Sequence, residues 1–253
     1  MRKIVYILGG LFCLSLSQSI AQDTLVVMKA GQAVYKRVVS EVDSIIFKPK
    51  KLTVTDIDGN IYLVVTVGTQ VWMGENLRVE KYNDGTPIPL VIDNTSWANN
   101  RLNKTKLPMM TWYNNDKATY TANKYGALYN WHVVNTAKLC PVGWHVPTDA
   151  EWTIFTTYLG GATVAGIKLK ATSGWDPGEN STNETKFSAF PGGYLNDLDG
   201  TFNAIGRSGY WWSATAVGTS SALKRQMFYN NSNVLNLLNW TREIGMSVRC
   251  IMD

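Results

Sequence analysis

The chain has 253 residues, 45% hydrophobic, 17% charged and 11% aromatic, with 21 Gly and ten Trp against two His and three Cys. That length gives one or two domains and a core large enough to fold without staples. The hydrophobic fraction excludes disorder, about 8% glycine excludes collagen, and two His with one distal Cys pair argue against a His/Cys zinc cluster.

The net charge of +5 sits at one end. Arg2 and Lys3 contribute two of it, residues 22–51 hold six basic and three acidic side chains, and residues 52–253 carry 16 of each. A nucleic-acid surface needs concentrated positive charge to displace counterions, so no nucleic-acid partner is expected.

Taken in chain order, Arg2 and Lys3 precede an apolar stretch at 4–16, and small residues follow at Ser19 and Ala21. This is the pattern of a cleaved signal peptide over 1–21, and it implies export to periplasm, outer surface or medium. Phe12 before Cys13 does not fit a lipoprotein site. Beyond residue 21 no apolar run reaches about 18 residues, so no membrane span is expected. Cleavage would remove Cys13 and leave Cys140 and Cys250. An even number in an exported chain suggests a disulfide, with two buried free thiols as the alternative.

Residues 22–51 read as a short β arm and linker. Strands are expected at 24–28, 34–39 and 44–47, with a turn at Ala30-Gly31-Gln32 and a boundary at Lys48-Pro49-Lys50-Lys51. Some thirty residues of strand cannot bury a core of their own.

From residue 52 the texture changes. Strands at 52–57 and 61–67 are joined by Asp58-Gly59-Asn60, a hairpin signal, and 70–73 forms another. Residues 80–125 read as long loops with short strands. A helix is expected over 127–134, where Ala127, Leu128, Trp131 and Val134 share a face. A second begins at Thr148, whose capping box is completed by Glu151. It buries Trp152, Phe155 and Leu159 and stops at Gly160-Gly161. Strands return at 187–190, 210–214, 227–229 and 247–251. Two helices among short strands indicate an α+β domain over 52–253.

Several blocks are familiar: Gly68-Thr69-Gln70-Val71-Trp72-Met73-Gly74-Glu75-Asn76-Leu77, Tyr125-Gly126-Ala127-Leu128-Tyr129-Asn130-Trp131, Cys140-Pro141-Val142-Gly143-Trp144-His145-Val146-Pro147-Thr148, Pro191-Gly192-Gly193, Tyr210-Trp211-Trp212-Ser213-Ala214 and Ser247-Val248-Arg249-Cys250. In this order they resemble the Fibrobacter succinogenes major paralogous domain, common in secreted proteins of Bacteroidetes. The resemblance spans about 52–253 and leaves the arm outside. It implies a C-type-lectin-like fold, distantly similar to formylglycine-generating enzymes, with two helices flanking irregular antiparallel sheets. It also implies a bridge from Cys140 to Cys250. Family function is uncharacterised, so activity does not follow from it.

Candidate sites divide by chemistry. Asp56-Ile57-Asp58-Gly59-Asn60 and Asn196-Asp197-Leu198-Asp199-Gly200 have the composition of calcium loops. Position twelve from Asp56 is Val67, however, where an EF-hand needs Glu, and hairpin turns account for both segments. No metal or cofactor is expected. The calcium-binding triplets of sugar-binding C-type lectins are absent. His132 and His145 would serve as general bases if paired with Asp149 or Glu151, but a structural role is favoured. No nucleophile elbow or phosphate loop accompanies them. The cysteines lack the spacing of a redox pair, which favours a structural bridge over catalysis.

Aromatic and polar residues between 175 and 207 suit sugar recognition, since pyranose faces stack on rings while hydroxyls seek amides, carboxylates and guanidinium. The candidate ligand-binding residues are Trp175, Asn180, Asn183, Glu184, Tyr194, Asn196, Asp197 and Arg207. Strand alternation would set one of Trp211 and Trp212 inward and one outward. The expectation is a non-enzymatic exported protein that recognises a glycan or a surface protein through its loops. The alternatives are an assembly component that uses the arm for strand addition, and a formylglycine-generating-like enzyme.

Overall fold

The computed structural model describes residues 4–6, 13–19, 22–38, 52–178, 181–236 and 240–253. The chain divides into two compact units, Met1–Lys50 and Lys51–Asp253. In the first, β1 (Ile4–Tyr6), β2 (Cys13–Ser19), β3 (Gln22–Lys29) and β4 (Gln32–Val38) pair antiparallel in that order. The strands expected at 24–28 and 34–39 fall in β3 and β4. Ala30 and Gly31, at φ 49° and 79°, make the turn between them, and positive φ at both centres matches strand twist. The strand expected at 44–47 and the boundary at 48–51 lie outside the described residues.

The second unit opens with β5 (Thr53–Thr55), β6 (Ile61–Val67) and β7 (Gln70–Met73). The β5–β6 turn is organised by Asp56, whose carboxylate accepts from the backbone of Asp58 and Asn60 and from the Tyr62 hydroxyl at 2.6 Å. Residues 80–125, read above as loops, contain α1 (Asn94–Leu102), β8 (Met110–Thr111) and α2 (Lys117–Ala122). Neither helix carries a clear apolar stripe. Asp93 and Asp116 start them by accepting the N–H groups of Ser96 and Thr119, and Trp97 anchors α1 in a core.

The helix expected over 127–134 is half strand. Leu128 and Tyr129 form β9 (Leu128–Tyr129) against β8, and only α3 (Trp131–Val134) is helical. Asn130 separates the two: its side chain accepts from Val133 N–H and so begins the helix later. After β10 (Trp144–His145) comes α4 (Asp149–Tyr158), with the Thr148–Glu151 capping box formed in both directions. Trp152, Phe155 and Leu159 are buried, and Gly160 and Gly161 end the helix at φ 101° and 106°. A short α5 (Ala165–Leu169) follows, so the described residues hold five α-helices where two were expected.

The segment 187–190 is not a strand. Ala189 makes one bridge to Lys170, and the buried Phe187 and Ala189 fill core space instead. Then come β11 (Gly192–Leu195), β12 (Phe202–Ile205), β13 (Ser208–Val217), β14 (Ser221–Phe228), β15 (Trp240–Thr241) and β16 (Ile251–Met252). The strand expected at 247–251 reduces to a bridge at Ser247 followed by β16.

One sheet has the order β10-β16-β7-β6-β5 and the other β12-β11-β13-β14-β15, antiparallel except where β11 meets β13. This is an α+β fold. The expectation of one outward tryptophan on β13 fails, because both faces of the strand are covered. Trp211 packs among Trp72, Trp152, Phe155 and Phe187, while Trp212 joins Tyr129, Trp131 and Trp144 on the other side. The second cluster also holds the disulfide Cys140–Cys250, which ties the segment before β10 to the segment before β16. Among the described residues no helix is long and apolar enough to cross a membrane.

Candidate functional site

The sequence blocks that carry the resemblance meet in the interior. Arg249 is fully buried, and its guanidinium donates to Asn76 Oδ1 at 2.8 Å and to the carbonyls of Met73, Phe187 and Ser188. Burial pulls its pKa down to about 9 against the opposing pull of Glu75. Asn76 Oδ1 also accepts from Trp211 Nε1 at 2.9 Å, and its amide donates to Tyr125 O at 2.7 Å. All three guanidinium nitrogens and the Asn76 amide are engaged and both side chains are buried, so these residues hold loops to sheets. A ligand must be met elsewhere.

The candidate ligand-binding residues separate into distinct places. Trp175 is half-buried against a core, donating to Ala189 O at 3.0 Å with the Lys170 ammonium over its ring. Asn180 lies outside the described residues. Asn183 braces its loop by exchanging two bonds with Ser188, each 2.9 Å, and Glu184 pairs with Lys168 at 3.5 Å. Asn196 and Asp197 belong to the β11–β12 turn. Asn196 accepts from Leu198 N–H, and the buried Asp197 accepts from Arg101 and Thr241. Their side-chain acceptors are therefore occupied within the fold. Asp199 likewise caps its own turn through Thr201. Among the described residues no three His, Cys, Asp or Glu side chains gather as a metal cluster.

Tyr194 and Arg207 are brought together. They line an open pocket of about 370 Å³ with Asn203, Tyr210, Phe228 and Tyr229. Strand register builds it: Tyr194 stands opposite Asn203 across β11–β12, and Ser208 opposite Phe228 across β13–β14. The close approach of β11 and β12 depends on Gly193. It sits at φ 64°, where a Cβ would lie 2.3 Å from Asn203 O. Ala204, also in the lining, holds φ 63° without being glycine, a strained state of the kind that collects at functional sites.

The pocket has a floor of packed rings and an exposed guanidinium at its rim. Tyr210 packs edge-on to Tyr194 and beside Trp240, with centroids 5.1 Å apart in both cases. Its hydroxyl accepts from Gln226 Nε2 at 2.8 Å, and Gln226 Oε1 accepts from Lys224 Nζ at 2.8 Å. Lys224 is 1% exposed, 4.7 Å above the Trp240 ring, and burial with Arg225 beside it pushes its pKa down to about 8. Burial also raises both tyrosines, so their hydroxyls stay protonated at neutral pH. The Arg207 side chain is 65% exposed, 5.4 Å from the Tyr229 ring and 4.0 Å from Asp176. Its backbone is fixed where Tyr229 N–H donates to Arg207 O at 2.9 Å. Rings, an amide and an exposed guanidinium around one concavity can stack on a sugar and bond its hydroxyls.

Of the other lining residues, Tyr210, Phe228 and Tyr229 are expected from the sequence only as strand residues, and Asn203 falls in no expected element. Nothing local marks them, since they become neighbours only through strand pairing, Tyr194 with Asn203 and Ser208 with Phe228.

Both histidines are held by carboxylates. His132 meets Glu243 at 3.2 Å, and neither Asp149 nor Glu151. His145 does meet Glu151, at 2.9 Å, but its other nitrogen is held by Asp253 at 2.6 Å. Burial lowers the His145 pKa, yet the bonds from Asp253 and Glu151 outweigh it and hold the imidazole above its ordinary value. A raised folded-state pKa means that this stabilisation is complete below about 6.5 and is lost as pH rises through the folded value. The melting temperature of the native chain should therefore fall relative to His145→Gln between pH 6 and pH 8. A constant difference would show the imidazolium contributes nothing.

The family model described as Fibrobacter succinogenes major domain matches residues 65–252. No curated protein and no solved structure matches this chain.

Proposed function

We propose that this chain, which belongs to the Fibrobacter succinogenes major domain family, is an exported, non-enzymatic glycan-binding protein of C-type-lectin-like fold. The single observation that carries the reading is the pocket in which Tyr194 and Arg207 converge with Tyr210, Tyr229 and Asn203. Its volume of about 370 Å³ falls within the range of small-ligand sites. A partner protein would need about 800 Å² of surface on each side, which favours a sugar over a protein partner. Export is supported by the leader pattern at 1–21 and by the disulfide Cys140–Cys250, which needs an oxidising compartment to persist.

Glycan arrays followed by calorimetry test this. A bound oligosaccharide should lose about tenfold in affinity, some 1.4 kcal/mol, in Tyr194→Ala and again in Arg207→Ala. Arg207 is exposed, so Arg207→Ala should keep the melting temperature, while Tyr194→Ala gives up ring contacts to Tyr210 and Trp240 and should melt lower yet stay folded at the assay temperature. An array without signal above background, or a ligand indifferent to both substitutions, defeats the proposal.

A further inference from the structure

We propose that a second pocket, between the β5–β6 turn and α2, binds a neutral, hydroxyl-rich ligand the size of one sugar ring. The cavity, about 270 Å³, is lined by Asp58, Asn60, Arg78, Glu80, Lys117 and Thr121, with the indole of Trp112 behind. It shares no residue with the Tyr194–Arg207 pocket, and it does not rest on the reading given to that pocket.

The charges in this wall are closed into pairs. Glu80 holds Lys117 at 2.6 Å, Asp58 holds Lys81 at 3.1 Å, and Arg78 is met by Glu75 at 3.1 Å. Arg78 is further fixed over the Tyr62 ring at 4.3 Å and donates to Ile61 O at 2.8 Å. An anion entering the pocket would lie against Asp58 and Glu80, and a metal cation against Arg78 and Lys117. Like-charge contact therefore disfavours both classes, while a ligand without net charge meets donors and acceptors in alternation. Hydroxyls, which donate and accept at the same atom, fit such a lining best.

An independent observation points the same way. The Thr121 hydroxyl is buried and has no hydrogen-bond partner among the described residues. Such an atom is unfavourable unless something supplies the partner, and the residue that carries it lines this cavity. Thr121 is presented by α2, a six-residue helix none of whose residues is buried. That helix is held at its first turn by the Lys117–Glu80 pair and by the Asp116 cap. The volume is slightly under the usual range for ligand sites of about 300–1,000 Å³, which limits the occupant to a single ring.

The full chain should be titrated calorimetrically with neutral pyranoses (glucose, galactose, mannose and N-acetylglucosamine), with inorganic phosphate and calcium as charged probes. At least one pyranose should bind at millimolar affinity. Thr121→Val and Lys117→Met should each weaken it about tenfold, and Tyr194→Ala should leave it unchanged. Thr121→Val removes a hydroxyl that is already unpaired, so the variant should fold with its melting temperature intact. No binding by any pyranose, binding indifferent to Thr121→Val and Lys117→Met, or loss in Tyr194→Ala would each overturn the assignment. So would phosphate or calcium binding that Lys117→Met or Thr121→Val abolishes. Failure of the Tyr194–Arg207 reading, by contrast, would leave these titrations untouched.

Discussion

The Cys140→Ala/Cys250→Ala variant should unfold at a free energy about 4–5 kcal/mol below that of the oxidised protein. The bridge spans 110 residues, and closing a loop of that length removes a large share of the unfolded chain's freedom. Both sulfurs are buried in the cluster around Trp212, Trp131 and Trp144, so loss of side-chain packing adds to the entropic effect. Urea unfolding monitored by tryptophan fluorescence checks it. The midpoint should fall and the slope should steepen, because the unlinked denatured chain exposes more surface. A loss under about 1 kcal/mol would mean that the denatured ensemble is confined by something other than the bridge.

Asn76→Ala should cost about 3–5 kcal/mol, the range for breaking a buried charged network from one side. The substitution removes the acceptor shared by Arg249 Nε and Trp211 Nε1, and it removes the donor to Tyr125 O. Arg249 cannot turn to water, being fully buried with its other two nitrogens bonded to three carbonyls. Asn76→Asp keeps the acceptor and adds an opposite charge next to the guanidinium, so it should cost less than Asn76→Ala at neutral pH. That advantage should disappear on acidification as the carboxylate protonates. Equal losses for the two variants would show that the geometry of the amide, not the acceptor, is what the site requires.

The hairpin at Asp58-Gly59-Asn60 and the start and stop of α4 were readable, because each is set by a few adjacent residues: a carboxylate accepting turn amides, a reciprocal cap, a pair of glycines at positive φ. Helices α1 and α2 were not, because their sequences are polar and rich in Asn, Thr and Lys. They depend on aspartate caps and, for α1, on Trp97 reaching a core assembled from distant strands. The helix expected over 127–134 failed for the opposite reason. Its apolar spacing was real, but Tyr129 exchanges backbone bonds with Met246, and that pairing outweighs local periodicity.

The candidate site was legible in composition only. A run of aromatic and polar residues identified the neighbourhood of Tyr194 and Arg207, but Asn183, Glu184, Asn196 and Asp197 are turn and loop braces and Trp175 packs against a core. Asn183 satisfies Ser188, and Asp197 satisfies Arg101 and Thr241. Side chains of these types serve backbone and ligand equally well, and only geometry tells which of them is spent within the fold.

By itself, then, the amino-acid order determined the family, the α+β class, the capped α4 helix and the cysteine pair, since each is written in neighbouring residues or in a fixed succession of blocks. Tertiary structure alone decided that both β13 tryptophans are buried, that Asn76 and Arg249 close a core, and that Tyr194 and Arg207 share one cavity while Trp112 and Thr121 share another. The physical reason is register: residues far apart in the chain become neighbours through strand pairing, and a shift of one position would turn every side chain to the other face.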